Sequence, residues 1–372
     1  MDTPTLSPDV GPPTPDRIRQ APKVVLHDHL DGGLRPASII ELAAETGYDG
    51  LPTTDVDDLT QTIRQGADRK DLTLYLETFS HTVGVMQTIA AIERVARECA
   101  EDLAADGVVY AEVRFAPELH TERGLTLDQV IEAVLTGFAA GSADTELTIR
   151  VLIAAMRHLD RGLEVAQAAV RYRDHGVVGF DIAGPEDGFP PDEHLLAFQY
   201  CQRENFHVTI HAGEAYGPRS IWKAVQYCGA ERLGHGIRIV EDWSTTPDGE
   251  TELGRLSHYL RDARIPLEVC PTSNVNTGVV ERIEDHPIQQ LVDLRFRVTV
   301  NTDNRLMSGV SMTSEMTALV EAFGYDWARL RWLTVNAMKS SFLPFRERLQ
   351  IIEHVIKPRY APLEAWQVEP PL

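Results

Sequence analysis

Cysteine is scarce in this 372-residue chain: Cys99, Cys201, Cys228 and Cys270 are scattered, and no Cys-x-x-Cys pair occurs. That disfavours a zinc ribbon or thioredoxin-type centre and leaves buried, reduced thiols of a cytoplasmic protein as the expected reading. Long apolar runs are also missing. No segment approaches the roughly 20 consecutive apolar residues that a membrane-spanning helix needs. Residues 1–20 hold several prolines and aspartates but no apolar stretch, so they read as a flexible tail and not a signal peptide. Basic clusters are lacking: 35 Lys and Arg face 56 Asp and Glu, a formal charge of −21. So acidic a surface repels phosphate backbones and anionic lipid, and neither nucleic acid nor a membrane is an expected partner. No phosphate-cradling Gly-rich loop is found either.

What is present is a rhythm. Strand-like segments at residues 23–30, 108–116, 149–156, 177–184, 207–214, 232–236, 267–273 and 297–303 alternate with helical patterns. Eight such repeats predict a parallel sheet closed into a (β/α)8 TIM barrel, a single domain over residues 21–365. Extra helices are expected after the first strand and at the C-terminus. Residues 50–70 read as a polar surface excursion, and residues 72–105 as a long helical stretch broken near Gly84. Within it Tyr75 and Phe79 share a face, either as core packing or as an apolar lid over the barrel mouth.

Barrels of this kind place their chemistry where strands end. His27-Asp28-His29 closes the first strand, and alternation puts His27 and His29 on one face with Asp31 beyond them, Asp28 pointing away. A His-x-His pair alone is weak, since 13 histidines produce such pairs by chance. His211 and Asp303, however, end two further strands. Three imidazoles and a carboxylate aimed at one axis suit a divalent first-row ion, zinc first. Glu214 follows His211 across Gly213, either as a helix-capping carboxylate or as a general acid and base. His235, between Gly234 and Gly236, either bonds to backbone or orients the attacking oxygen.

The stretches Lys23 to Gly32, Phe180 to Glu186, His211-Ala-Gly-Glu214, Leu233-Gly-His235-Gly236, Cys270-Pro-Thr-Ser-Asn274 and Asn301-Thr-Asp303 together resemble the motifs of the adenosine deaminase family, in the family's order. The resemblance implies one zinc ion on His27, His29, His211 and Asp303. It implies Glu214 as proton donor to purine N1, and His235 as the group that orients the hydroxide and stabilises developing charge. It further implies Gly184 at ring N3 and Asp31 at the ribose 5′-hydroxyl. The implied reaction is hydrolytic deamination of adenosine or deoxyadenosine to the inosine product and ammonia. Its partner is then a small purine nucleoside; the oligomeric state stays open. The chain departs from the family pattern at Asn304, where a second aspartate usually contacts N7; an amide there donates permanently. Deamination of adenine or another modified 6-aminopurine, or a non-catalytic metal-binding role, are the competing readings.

Overall fold

The computed structural model describes residues 11–365. Eight parallel strands follow one another around the sheet in chain order: Lys23–His29, Val108–Phe115, Thr148–Met156, Val177–Ala183, His207–Ala212, Arg232–His235, Pro266–Val269 and Arg297–Val300. They lie in parallel register and are almost entirely buried, as expected of strands covered on both faces. The ring closes at its C-terminal end. There the amide of His29 donates to the Asp303 carbonyl at 2.8 Å, and the amide of Asp303 donates to the His27 carbonyl at 2.9 Å. The (β/α)8 barrel is therefore observed, and its closing seam runs through the residues expected to bind metal.

The boundaries differ from expectation where local chemistry intervenes. The seventh strand stops at Val269 instead of reaching residue 273, because Pro271 opens a helix, Pro271–Asn276. The polar excursion contains a helix, Val56–Ala67, capped by Asp55 through the amides of Asp57 and Asp58 and burying Leu59, Ile63 and Ala67. The stretch after it is three helices, Leu72–Leu76, Phe79–Val85 and Ile89–Ala105. Residues 1–10 of the expected tail lie outside the described residues, but the rest of that tail is ordered. Pro15–Gln20 is a helix with Ile18 buried. The Trp327 indole donates to the Gly11 carbonyl at 2.8 Å, and the buried Lys23 ammonium caps the helix end through the carbonyls of Ile18, Arg19 and Ala21. Hydrophobic burial and this cap hold the segment down.

No described helix is long and apolar enough to cross a membrane. All four cysteines are buried and unpaired.

Candidate metal centre and its pocket

His27 and His29 stand two apart on the first strand, so both rings turn toward the barrel axis while Asp28 turns outward. Outside, Asp28 is fully buried and meets Arg305, whose Nε donates to both carboxylate oxygens at 2.9 Å. That is the partner a buried charge requires. His211 is the penultimate residue of the fifth strand. Asp303 and His235 both adopt left-handed backbone, φ +57° and +58°, a conformation uncommon for residues with a side chain. Such strain costs on the order of 1–3 kcal/mol and persists only where surrounding structure over-determines it, as at functional sites.

The donor atoms converge. His27 Nε2 and His29 Nε2 each lie 3.4 Å from Asp303 Oδ1, and His29 Nε2 lies 3.3 Å from His211 Nε2. A tetrahedral ion bound at about 2.0–2.1 Å holds neighbouring donors roughly 3.3–3.4 Å apart, the spacing found here. Buried His27 Nε2 has no hydrogen-bond partner. The opposite sides of the ligands are fixed: His27 Nδ1 sits 2.9 Å from Glu268, His211 Nδ1 2.8 Å from Asp181, and Ser273 Oγ donates to Asp303 Oδ2 at 2.6 Å. Carboxylates behind imidazoles fix the ring orientation and leave Nε2 facing inward. Burial holds His29 and His211 below the usual imidazole range, so each offers a neutral lone pair. The residues therefore fit a divalent ion. Cys270 also lies near His27, His235 and Asp303, but burial pushes its thiol far up, which disfavours the thiolate a metal would need.

Above this cluster opens a cavity of about 630 Å³, within the range of small-molecule sites. Its lining includes Asp31, Gly184, Glu214, His235 and Asn304 together with three of the four metal-ligand candidates, His27 lying beneath. Glu214 is buried, and its pKa is raised well above the usual value, first by burial and then by the charges of Asp303 and Glu186. Its Oε2 lies 3.5 Å from His235 Nε2. Asp31 is also buried, with Oδ1 unpartnered and the carboxyl pushed by burial up to about 7. Asn304 Oδ1 is likewise buried without a partner. Gly184 has φ +98°, and a Cβ there would meet the Met156 methyl at 3.1 Å. Tyr75 and Phe79 line the apolar half with their ring centroids 6.4 Å apart, which places the inserted helices over the mouth.

Several residues that matter here carried no sequence expectation of a role. Glu186 accepts from the amides of Gly213, Glu214, Ala215 and Tyr216 at 2.7–3.0 Å and so holds the turn that carries Glu214. Asp181 and Glu268 orient histidines. Each is a charged residue within an otherwise apolar strand, and that pattern is the sequence signal that could have found them. Asn274 and His286 stand behind His235, and Leu119, His158 and Phe189 complete the pocket.

The model of the family described as adenosine deaminase matches residues 22–358. Adenosine deaminase 1 of Streptomyces coelicolor is 62% identical over 358 residues, covering 95% of this chain and 90% of that protein. Among solved structures, an adenine deaminase from Arthrobacter aurescens superposes with TM-score 0.81 at 26% identity, covering 94% of this chain and 100% of that one. An N6-mAMP deaminase from Arabidopsis superposes with TM-score 0.78 at 25% identity, covering 90% and 98%.

Proposed function

This chain belongs to the adenosine deaminase family, and from that premise we propose that it is a zinc-dependent hydrolase converting adenosine and deoxyadenosine to inosine and deoxyinosine with release of ammonia. The observation that carries the reading is the convergence of four metal-ligand atoms beside Glu214 and His235 at the floor of one cavity.

His27, His29, His211 and Asp303 would hold the ion, and three imidazole nitrogens with one carboxylate oxygen suit zinc. When bound, the ion supplies hydroxide at neutral pH by lowering the pKa of water to about 7. The protein's own residues do the rest. Carbon C6 of a purine is a poor electrophile until the ring can accept electrons. Glu214, kept protonated by burial, gives its proton to N1 and so opens C6 to addition. Now a carboxylate, it takes the proton of the hydroxyl added to C6 and passes it to the amine, so that the C6–N bond breaks, the C6 carbonyl forms and ammonia leaves. His235 donates to the oxygen that adds to C6 and stabilises charge developing there. Gly184 brings its backbone amide against N3, where a side chain would crowd Met156. Asp31 takes the ribose 5′-hydroxyl, and the Asn304 amide takes N7.

A phosphorylated substrate is disfavoured by the lining: no Lys or Arg faces the cavity among the described residues, whereas Asp31 and Glu77 do. Four buried unpaired thiols support a cytoplasmic enzyme. Ammonia release from a panel of adenosine, deoxyadenosine, adenine and N6-methyl-AMP tests the assignment. Turnover is expected on the two nucleosides. Activity confined to adenine or to the nucleotide, or none at all with metal bound, would overturn it.

A further inference from the structure

His235 faces the reaction with Nε2, and whether that nitrogen carries a proton decides what it can do: a protonated Nε2 donates, a bare one accepts. The answer follows from a group some distance away. The backbone amide of Ile288 approaches His286 Nδ1 at 3.0 Å. A backbone N–H can only donate, so Nδ1 must present a lone pair and the His286 ring proton must sit on Nε2. Burial agrees, holding His286 down at about 3, far from its charged form. His286 Nε2–H then has Asn274 Oδ1 as its acceptor at 3.2 Å. With its oxygen so engaged, Asn274 turns its amide nitrogen to His235 and donates to Nδ1 at 3.1 Å. His235 Nδ1 is thereby an acceptor, and the neutral ring carries its proton on Nε2. That atom has no hydrogen-bond partner within the protein and points toward Glu214 Oε2, 3.5 Å away.

We infer that Asn274 and His286 are positioning residues that fix His235 in its Nε2–H tautomer, the Ile288 amide setting the direction of the whole hydrogen-bond chain. All three side chains are buried, His235 and Asn274 completely, so no water competes for these bonds and the polarity cannot reverse cheaply. His235 is consequently a donor to the incoming oxygen and not its base. Proton traffic falls to Glu214. The kinetic part of this inference rests on the deaminase reading; the tautomer does not.

Asn274→Asp is the decisive change, because a carboxylate of the same shape can only accept and pulls the His235 proton to Nδ1. The experiment is long-range proton–nitrogen NMR on ring-labelled histidines, in metal-free and metal-loaded protein, with signals assigned by His286→Gln and His235→Gln. The wild type is expected to show both His235 and His286 protonated on Nε2, and Asn274→Asp to move the His235 proton to Nδ1. A wild-type His235 protonated on Nδ1 would overturn the inference in either metal state, whether or not adenosine is the substrate. In turnover, Asn274→Asp should lose about 10²-fold in kcat, the scale of one lost donor to a developing oxyanion, with KM and metal content nearly unchanged. Retained kcat would overturn it. If that variant does not fold, His286→Leu and His286→Gln replace it. Glutamine can still donate to Asn274 and should rescue most of the turnover that leucine loses, and equal rates in the two would overturn the inference.

Discussion

Two buried polar layers lie one above the other in this barrel, and they are built on opposite plans. In the lower layer every charge meets its opposite. Arg114 bonds Asp181 at 2.5 Å and Glu268 at 2.7 Å; Arg232 bonds Glu112 and Glu268, each at 2.6 Å. In the upper layer, at the mouth, polar atoms are left without protein partners: His27 Nε2, His235 Nε2, Asp31 Oδ1 and Asn304 Oδ1. Both layers are largely buried, the lower one sealed in the core and the upper one lining the cavity. The difference lies in what completes each set. The lower layer is neutralised by opposite charges within the protein, although Arg114 Nε and, their ion pair aside, Arg232 Nη2 and Glu112 Oε2 have no hydrogen-bond partner there, and it serves as scaffold. The upper one needs an ion and a ligand to satisfy it.

This contrast predicts that substitutions in the two layers damage different properties. The largest effect is expected at the mouth: Glu214→Gln should lower kcat by at least 10²–10⁴-fold, the range of general acid–base catalysis, while metal analysis and Tm stay close to wild type. Near-normal turnover would remove Glu214 from the chemistry. One layer below, Arg114→Met should reverse the pattern. It removes the guanidinium that Asp181 and Glu268 share, leaving Asp181 with His211 and Glu268 with Arg232 and His27, and breaking a buried ion pair costs up to about 3–5 kcal/mol, measurable by urea unfolding. A stable Arg114→Met protein would erase the distinction between the layers.

A gentler test uses pH. Glu315 is fully buried beneath the Pro271–Asn276 helix, where its Oε2 accepts the Thr272 amide at 3.3 Å, and burial raises its pKa from 4.5 to about 8. The folded protein therefore holds a proton that the unfolded chain has released between those two values. Stability from this group is fully present below pH 4.5 and is lost as pH rises toward 8, at no more than about 1.4 kcal/mol per pH unit. Glu315→Gln should flatten that slope, so that the variant is the more stable protein above pH 8. Parallel unfolding curves for both proteins from about pH 5 to 9 would refute it. The smallest effect is expected at Asn304→Asp. A carboxylate donates to N7 only when protonated, so KM for adenosine should rise several-fold toward alkaline pH in the variant and not in the wild type, with discrimination against 7-deazaadenosine altered in step. Identical profiles would mean that residue 304 does not contact N7.

Much of the barrel was readable because its signals are local. Strand alternation put His27 and His29 on one face and Asp28 on the other, and the ends of the fifth and last strands carried His211 and Asp303. Short-range capping decided details that composition left open. Asp55 made a helix out of a polar stretch, Pro271 ended a strand early, and Ile18 with the Lys23 cap ordered part of an expected tail. The partner of Asp28 could not be named in advance, since Arg305 lies at the far end of the barrel and meets it only on closure. Asn274 stood inside a motif that resembled the family's, yet its function depends on His286, which lies outside every motif.

By itself the sequence determined the strand–helix periodicity and the kinds of donor placed at strand ends, because alternation and helical period act over a few residues. Only tertiary structure decided which ring nitrogen faces the barrel axis, which way the hydrogen bonds at His235 run and which charges are neutralised. Those outcomes depend on pairs such as His27 and Glu268, and His235 and Asn274, that only the closed barrel brings together. They also depend on burial, which makes each unmatched lone pair or proton too costly to leave to chance.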